Sequence, residues 1–159
     1  YVLDPRGKFV FDAEDYQQAL QQADAQKGTP EAIRHLERAM ALYTGQFAPD
    51  FYSEWAETLR WQLEEQSMTL LGSLAKAYNA AGEYKKSADI CQKILERDEF
   101  SEAGWYGLMT SYVLSGQTEA AKYSFSRYVK VIAEEDMDDE DLPEFEDLVS
   151  EIKAGKERI

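Results

Sequence analysis

The sequence has few of the residues that secreted, metal-binding or membrane-embedded proteins depend on. Its 159 residues include one Cys and one His, so an internal disulfide and a histidine-rich metal site are both excluded. The single Cys fits a reducing cytoplasm, and the single His argues against a catalytic triad. No stretch approaches the ~20 apolar residues of a membrane-spanning helix, and no signal peptide opens the chain. We therefore expect a cytoplasmic protein that is not in the membrane.

Basic residues are also in the minority. Seventeen Lys and Arg stand against 31 Asp and Glu, which gives a net charge of −14. A surface of that sign repels phosphate groups, so we expect no direct nucleic-acid binding by this chain. Eleven of the acidic residues lie between positions 134 and 151, where there is no Lys or Arg, and outside that segment 20 acidic residues face 17 basic ones. We interpret the segment as a solvated loop that leads into an acidic helix start.

What is present indicates a folded chain made mostly of helices. Apolar residues make up 44% and charged residues 30% of the sequence, the balance of a globular domain. Strand patterns are confined to residues 1–11, which read as a short β hairpin. Apolar spacings of three and four residues predict helices over 12–27, 30–43 and 53 to about 81, with Thr29 as the cap of the second helix.

A repeat of 34 residues is the strongest signal in the chain. Units 68–101 and 102–135 each read as a helix, a turn centred on Gly, and a second helix. The aligned pairs are Leu71 with Trp105, Leu74 with Leu108, Tyr78 with Tyr112, Gly82 with Gly116, Ser87 with Ala121, Cys91 with Phe125, and Ile94 with Tyr128. This period and pattern match the tetratricopeptide repeat.

Two such units need covering at both ends, because each leaves an apolar face for a neighbour. We expect the helices before the repeats to cover one end. A capping helix at about 143–154, with Phe145, Leu148 and Ile152 on one face, is expected at the other end. The predicted fold is all-α, a tetratricopeptide-like right-handed helical array with a short N-terminal β hairpin.

The order of parts resembles a known family. Asp12-x-x-x-Tyr16 opens the first helix, Leu42-Tyr-Thr-Gly-Gln-Phe-Ala-Pro-Asp50 follows the second, and Trp55-Ala-Glu precedes the repeats. Over essentially its whole length the chain resembles the bacterial transcriptional activator domain of antibiotic-regulatory-protein type transcription regulators. Residues 1–11 would then be the closing hairpin of an upstream winged helix or a linker, and 12–159 the activator domain.

The resemblance implies a regulatory domain that works through contacts with protein partners or through self-association. DNA binding would lie in a winged helix-turn-helix upstream, and since the sequence does not begin with Met we expect it to be a piece of a longer protein. The alternative is a free-standing tetratricopeptide adaptor that binds a peptide in its concave groove. No Gly-rich phosphate loop, nucleophile elbow or metal-ligand spacing occurs, so we expect neither an enzyme nor a cofactor.

The tetratricopeptide pattern also implies which residues face the groove. The partner-binding candidates are Lys76, Asn79, Tyr106, Thr110 and Val113. The alternative is that the terminal helix of the same chain fills this groove, or that solvent does.

Three other single residues have separate predictions. Trp61 is a candidate surface contact. Cys91 is expected to be a buried, inert thiol, and His35 to be a surface or partly packed residue.

Overall fold

The computed structural model of the chain describes residues 13–26, 29–42, 54–133 and 144–154. All regular secondary structure in these ranges is helical, which confirms the all-α helical array; the hairpin predicted at 1–11 lies outside them. The seven helices of the described ranges are α1 (Ala13–Ala25), α2 (Pro30–Leu42), α3 (Glu54–Ala80), α4 (Tyr84–Arg97), α5 (Glu102–Leu114), α6 (Thr118–Ala133) and α7 (Phe145–Lys153). None of these helices is long and apolar enough to cross a membrane.

Helix starts follow from local side-chain chemistry. Thr29 precedes α2, and its hydroxyl accepts a hydrogen bond from the backbone N–H of Ala32 at 3.3 Å. Ser101 does the same for α5, accepting from the N–H of Gly104 at 3.3 Å. Each hydroxyl satisfies one of the backbone donors that a helix start leaves unpaired. The expected cap at Thr29 is confirmed.

The two glycine turns of the repeat have the same geometry, 34 residues apart. Gly82 ends α3 with φ of 77° and Gly116 ends α5 with φ of 75°, a left-handed conformation that side chains other than Gly rarely adopt. Around Gly82, the N–H of Glu83 donates to the carbonyl of Tyr78 at 2.9 Å. Around Gly116, the N–H of Gln117 donates to the carbonyl of Tyr112 at 2.8 Å. Both turns are Schellman motifs, and the repeat is therefore structural as well as sequential.

The chain divides into two compact units, Tyr1–Ala77 and Tyr78–Ile159. In the first unit α1 and α2 pack together through small residues. Ala19, Ala32 and Ala39 are all buried, which lets the two helices approach closely. Tyr16 of α1 is a large side chain that is also buried, with 1% of its surface exposed.

In the second unit α5 is the central helix, packed on α4, α6 and α7. The repeat positions supply its core, as the sequence predicts. Leu108, Ala121 and Ile94 are buried, and Trp105 lies with its ring centroid 6.3 Å from that of Tyr128.

Two glycines let α5 cross α4 closely. A Cβ on Gly107 would lie 2.7 Å from the sulfur of Cys91, and a Cβ on Gly104 would lie 2.9 Å from a methyl group of Leu95. The first of these distances is shorter than any ordinary carbon–sulfur contact, so α5 can take this position only where it lacks a side chain.

The C-terminal helix α7 covers part of the second repeat. Leu148 and Ile152 are buried, and the Phe145 ring meets the Phe125 ring of α6 edge-on at 5.5 Å. The prediction of an apolar face on this helix is confirmed.

Candidate functional site

The five groove candidates differ in exposure. Lys76 lies on α3 in the first unit and is exposed, whereas Asn79, Tyr106, Thr110 and Val113 belong to the second unit and are half-buried. Asn79 and Val113 are equivalent in the repeat, since the carbonyl of each accepts a hydrogen bond from the following turn glycine at 3.1 Å.

Asn79 takes part in a polar network within the second unit. Its side-chain oxygen accepts a hydrogen bond from the hydroxyl of Ser111 at 3.1 Å. The same hydroxyl lies 3.0 Å from that of Ser87 and 2.8 Å from the carbonyl of Gly107. The network satisfies polar groups in the seam between α4 and α5, so Asn79 has a structural role whatever it binds.

Tyr106, Thr110 and Val113 share a side of α5 by helical spacing. The hydroxyl of Thr110 is buried and, among the described residues, has no hydrogen-bond partner. Helix α7 contacts α5, which is the arrangement required if the terminal helix of the chain fills part of the groove. The structure is therefore compatible with either a partner protein or the terminal helix of the chain as the occupant of this side of α5.

Trp61 is 64% exposed on α3. Its use as a surface contact remains a prediction.

In the second unit a cleft lies over α5, between α4 and α6. It has a volume of about 450 Å³. Trp105, Leu108 and Tyr112 of α5 form its floor. The Trp105 indole N–H donates to the carbonyl of Glu99 at 2.7 Å, and the Tyr112 hydroxyl accepts from the side-chain amide of Gln92 at 3.4 Å. Both floor aromatics are therefore held in place.

The walls of this cleft carry charge on both sides. Glu96 and Glu99 line the α4 side, and Arg127 lines the α6 side. The Arg127 guanidinium carbon lies 5.4 Å from the centre of the Trp105 ring, within the range of a cation–π contact. Tyr123 also lines the α6 side and is 68% exposed.

This cleft was not predicted from the sequence. One signal for it is present in α6, where the inward stripe runs through Ala121, Ser124 and Tyr128, three and four residues apart. Tyr123 falls outside that stripe, and an aromatic residue on the polar side of an amphipathic helix indicates a surface used for something other than packing.

The environment of Cys91, the single cysteine of the chain, decides its chemistry. The pKa of the Cys91 thiol is raised to about 12, because the effect of burial exceeds the opposite effect of a hydrogen bond with Ser87. The thiol is therefore protonated and unreactive near neutral pH, as predicted. His35 is half-buried, and the described residues contain no group of three or more His, Cys, Asp or Glu side chains placed to hold a metal.

Comparison with protein-family models identifies the family of the chain. The family model of the bacterial transcriptional activator domain matches residues 9–153. The chain belongs to this family. The match spans α1 to α7, so the glycine turns, the α5 groove side and the cleft are all parts of the activator domain. Comparisons with curated proteins and with solved structures gave no significant match.

Membership supports a regulatory role. The activator domain occurs in bacterial transcription regulators, and its family is a regulatory rather than an enzyme family. The resemblance drawn from the Leu42–Asp50 run and the repeat is thus confirmed at the level of the family.

Proposed function

We propose that this activator domain is the protein-contact domain of a cytoplasmic bacterial transcription regulator, and that DNA binding lies in a winged helix-turn-helix upstream. The observation that carries the proposal is the family match over residues 9–153. The net charge of −14 supports placing DNA binding in another domain, because a surface of that sign repels the phosphate backbone.

The partner surface in this proposal is the groove side of the repeats. Lys76 offers an exposed cation, and Tyr106 offers an aromatic ring of the kind that anchors peptide partners. Thr110 adds a hydroxyl whose oxygen has no partner among the described residues, and Val113 adds apolar area.

The test is a double variant, Tyr106→Ala with Lys76→Glu, in a full-length regulator that carries this domain. Neither position supplies the buried seam of the repeat, so helicity and melting temperature should change little. Operator affinity should be unchanged and reporter transcription should fall. Circular dichroism, operator titration and reporter output are measured on the same variants.

A matched control keeps the chemistry and moves the position. Tyr84→Ala with Lys85→Glu makes the same two changes at the start of α4, outside the groove candidates, and should leave reporter output at the wild-type level. If the groove variant is stable and activates normally, the partner surface is elsewhere, on Trp61 or on the face formed by α4 and α6.

A free-standing tetratricopeptide adaptor is the second candidate, favoured by the two repeat units with their matching glycine turns. The sequence upstream of residue 1 separates the two functions. A winged helix there supports the regulator, and a different domain supports the adaptor.

A further inference from the structure

We propose that the cleft over α5 is a second interaction surface, which binds an amphipathic helix of a partner protein through an Arg or Lys side chain and neighbouring apolar side chains. The proposal rests on the proposed role in protein contacts. It concerns the side of α5 that carries Trp105 and Tyr112, not the side that carries Tyr106 and Val113.

The negative charge on the α4 side of the cleft favours a positively charged side chain of the partner. Glu96 and Glu99 form no ion pair with any described residue. Glu96 lies in the last turn of α4, which ends at Arg97, and Glu99 lies two residues beyond that end, where the helix dipole adds partial negative charge. A basic side chain from a partner would meet both carboxylates and the helix end together, so this end of the cleft is complementary to Arg or Lys.

The aromatic surface beside that wall is already in position. Trp105 is tied to the Glu99 carbonyl and Tyr112 is in contact with the Gln92 amide, so binding would order few new side chains on this side. Arg127 of the chain itself lies over the Trp105 ring, with its guanidinium carbon 5.4 Å from the ring centre, so the basic side chain of a partner would meet the carboxylates of the α4 side and not this ring face.

The shape of the cleft favours a helix over a small molecule. It is a furrow between two helices, and the stretch of α5 from Trp105 to Tyr112 is about 10 Å long at 1.5 Å per residue. That length suits about two turns of a partner helix, whose side chains at i, i+3 and i+4 would lie along Leu95 and Tyr123. Tyr123 is 68% exposed, so the furrow is open along its α6 side, whereas small-molecule sites enclose most of their ligand.

The experiment uses a synthetic amphipathic helical peptide with leucines at i, i+3 and i+4 and arginines beside them. A second peptide carries citrulline in place of each arginine, which keeps the shape and removes the charge. Binding to the whole chain of residues 1–159 is measured by calorimetry near physiological salt. We expect micromolar binding of the arginine peptide and binding at least about tenfold weaker for the citrulline peptide.

Matched variants separate the cleft from general charge attraction. Glu96→Gln with Glu99→Gln should weaken binding at least about tenfold, whereas Glu64→Gln with Glu65→Gln, which removes the same charge from exposed positions on α3, should weaken it less than about threefold. Tyr123→Ala should weaken binding as the double substitution of Glu96 and Glu99 does. Trp61→Ala, which removes an aromatic of similar exposure, should not.

Two results would overturn the proposal: equal weakening by the two charge pairs, and failure of the arginine peptide to bind the wild-type chain. Circular dichroism of each variant confirms that these surface substitutions leave the fold intact. Because the assay contains neither DNA nor transcription, its failure leaves the proposed regulatory function untouched, and a failed reporter assay leaves the cleft untouched.

Discussion

At the scale of single residues, the absence of a side chain is as decisive as its presence. Gly107 and Gly72 both lie inside helices, yet their surroundings differ. A Cβ on Gly107 would lie 2.7 Å from the Cys91 sulfur, whereas a Cβ on Gly72 would meet no atom of the described residues within 4 Å. The two glycines therefore provide a matched pair for measuring how tightly α4 and α5 are packed.

We expect Gly107→Ala to destabilise the chain and Gly72→Ala to stabilise it. Replacing Gly by Ala in a helix gains about 0.8–1 kcal/mol, and at Gly72 nothing opposes that gain. At Gly107 the added methyl overpacks the seam against a buried sulfur, which costs about 1–3 kcal/mol, so the net loss should be about 1 kcal/mol. Denaturant titrations followed by circular dichroism measure both. Equal stabilisation by the two substitutions would contradict the close approach of α5 to α4 at Gly107.

At the scale of elements, helix ends and helix contacts are controlled by different forces. The turns after α3 and α5 are fixed by the chain itself, through the left-handed glycines and their nested hydrogen bonds. The nine-residue helix α7 is different, because isolated helices shorter than about 12–15 residues are marginal in water. Its stability has to come from the burial of Leu148 and Ile152 and from the contact between Phe145 and Phe125.

Leu148→Ala should therefore unfold α7 before it affects the rest of the second unit. Truncating a buried Leu costs about 2–5 kcal/mol, which is comparable to the whole docking energy of so short a helix. Hydrogen exchange followed by mass spectrometry should show lost protection in α7, with α5 and α6 still protected. Glu146→Ala, at an exposed position of the same helix, should leave protection unchanged. Retained protection of α7 in the Leu148 variant would mean that its packing contributes little.

At the scale of the whole molecule, charge is the dominant property, and it is unevenly distributed. The 11 acidic residues between 134 and 151 account for most of the net charge of −14. A charge that is concentrated in one segment favours basic partners and disfavours nucleic acid. This agrees with a division in which the activator domain contacts protein and another domain contacts DNA.

The chain of residues 1–159 should accordingly not bind duplex DNA near physiological salt. The 31 acidic residues outnumber the 17 basic ones and repel the phosphates, so the Kd even of non-specific binding should be higher than the usual value of about 10⁻⁴–10⁻⁶ M. Fluorescence anisotropy with a labelled duplex measures this, and the full-length regulator serves as the positive control. Specific micromolar binding by the isolated chain would refute the division.

The sequence by itself determined the helices, the repeat and the family. Predicted helices at 30–43 and 53–81 compare with Pro30–Leu42 and Glu54–Ala80 in the structure. These features follow from interactions within a few residues of the chain: apolar periodicity, a capping hydroxyl, a glycine that tolerates positive φ. Such signals are local, and the 34-residue repeat shows the glycine turn twice.

Only the tertiary structure decided which surfaces are open. Sequence periodicity places Trp105 and Tyr112 toward a neighbour, but it does not say that α4 and α6 leave a cleft of about 450 Å³ above them. Nor does it show that Gly107 is where α5 meets the Cys91 sulfur, or that α7 contacts α5. These depend on distances between helices that are far apart in sequence, and those distances are set by the packed volume of all the side chains between them.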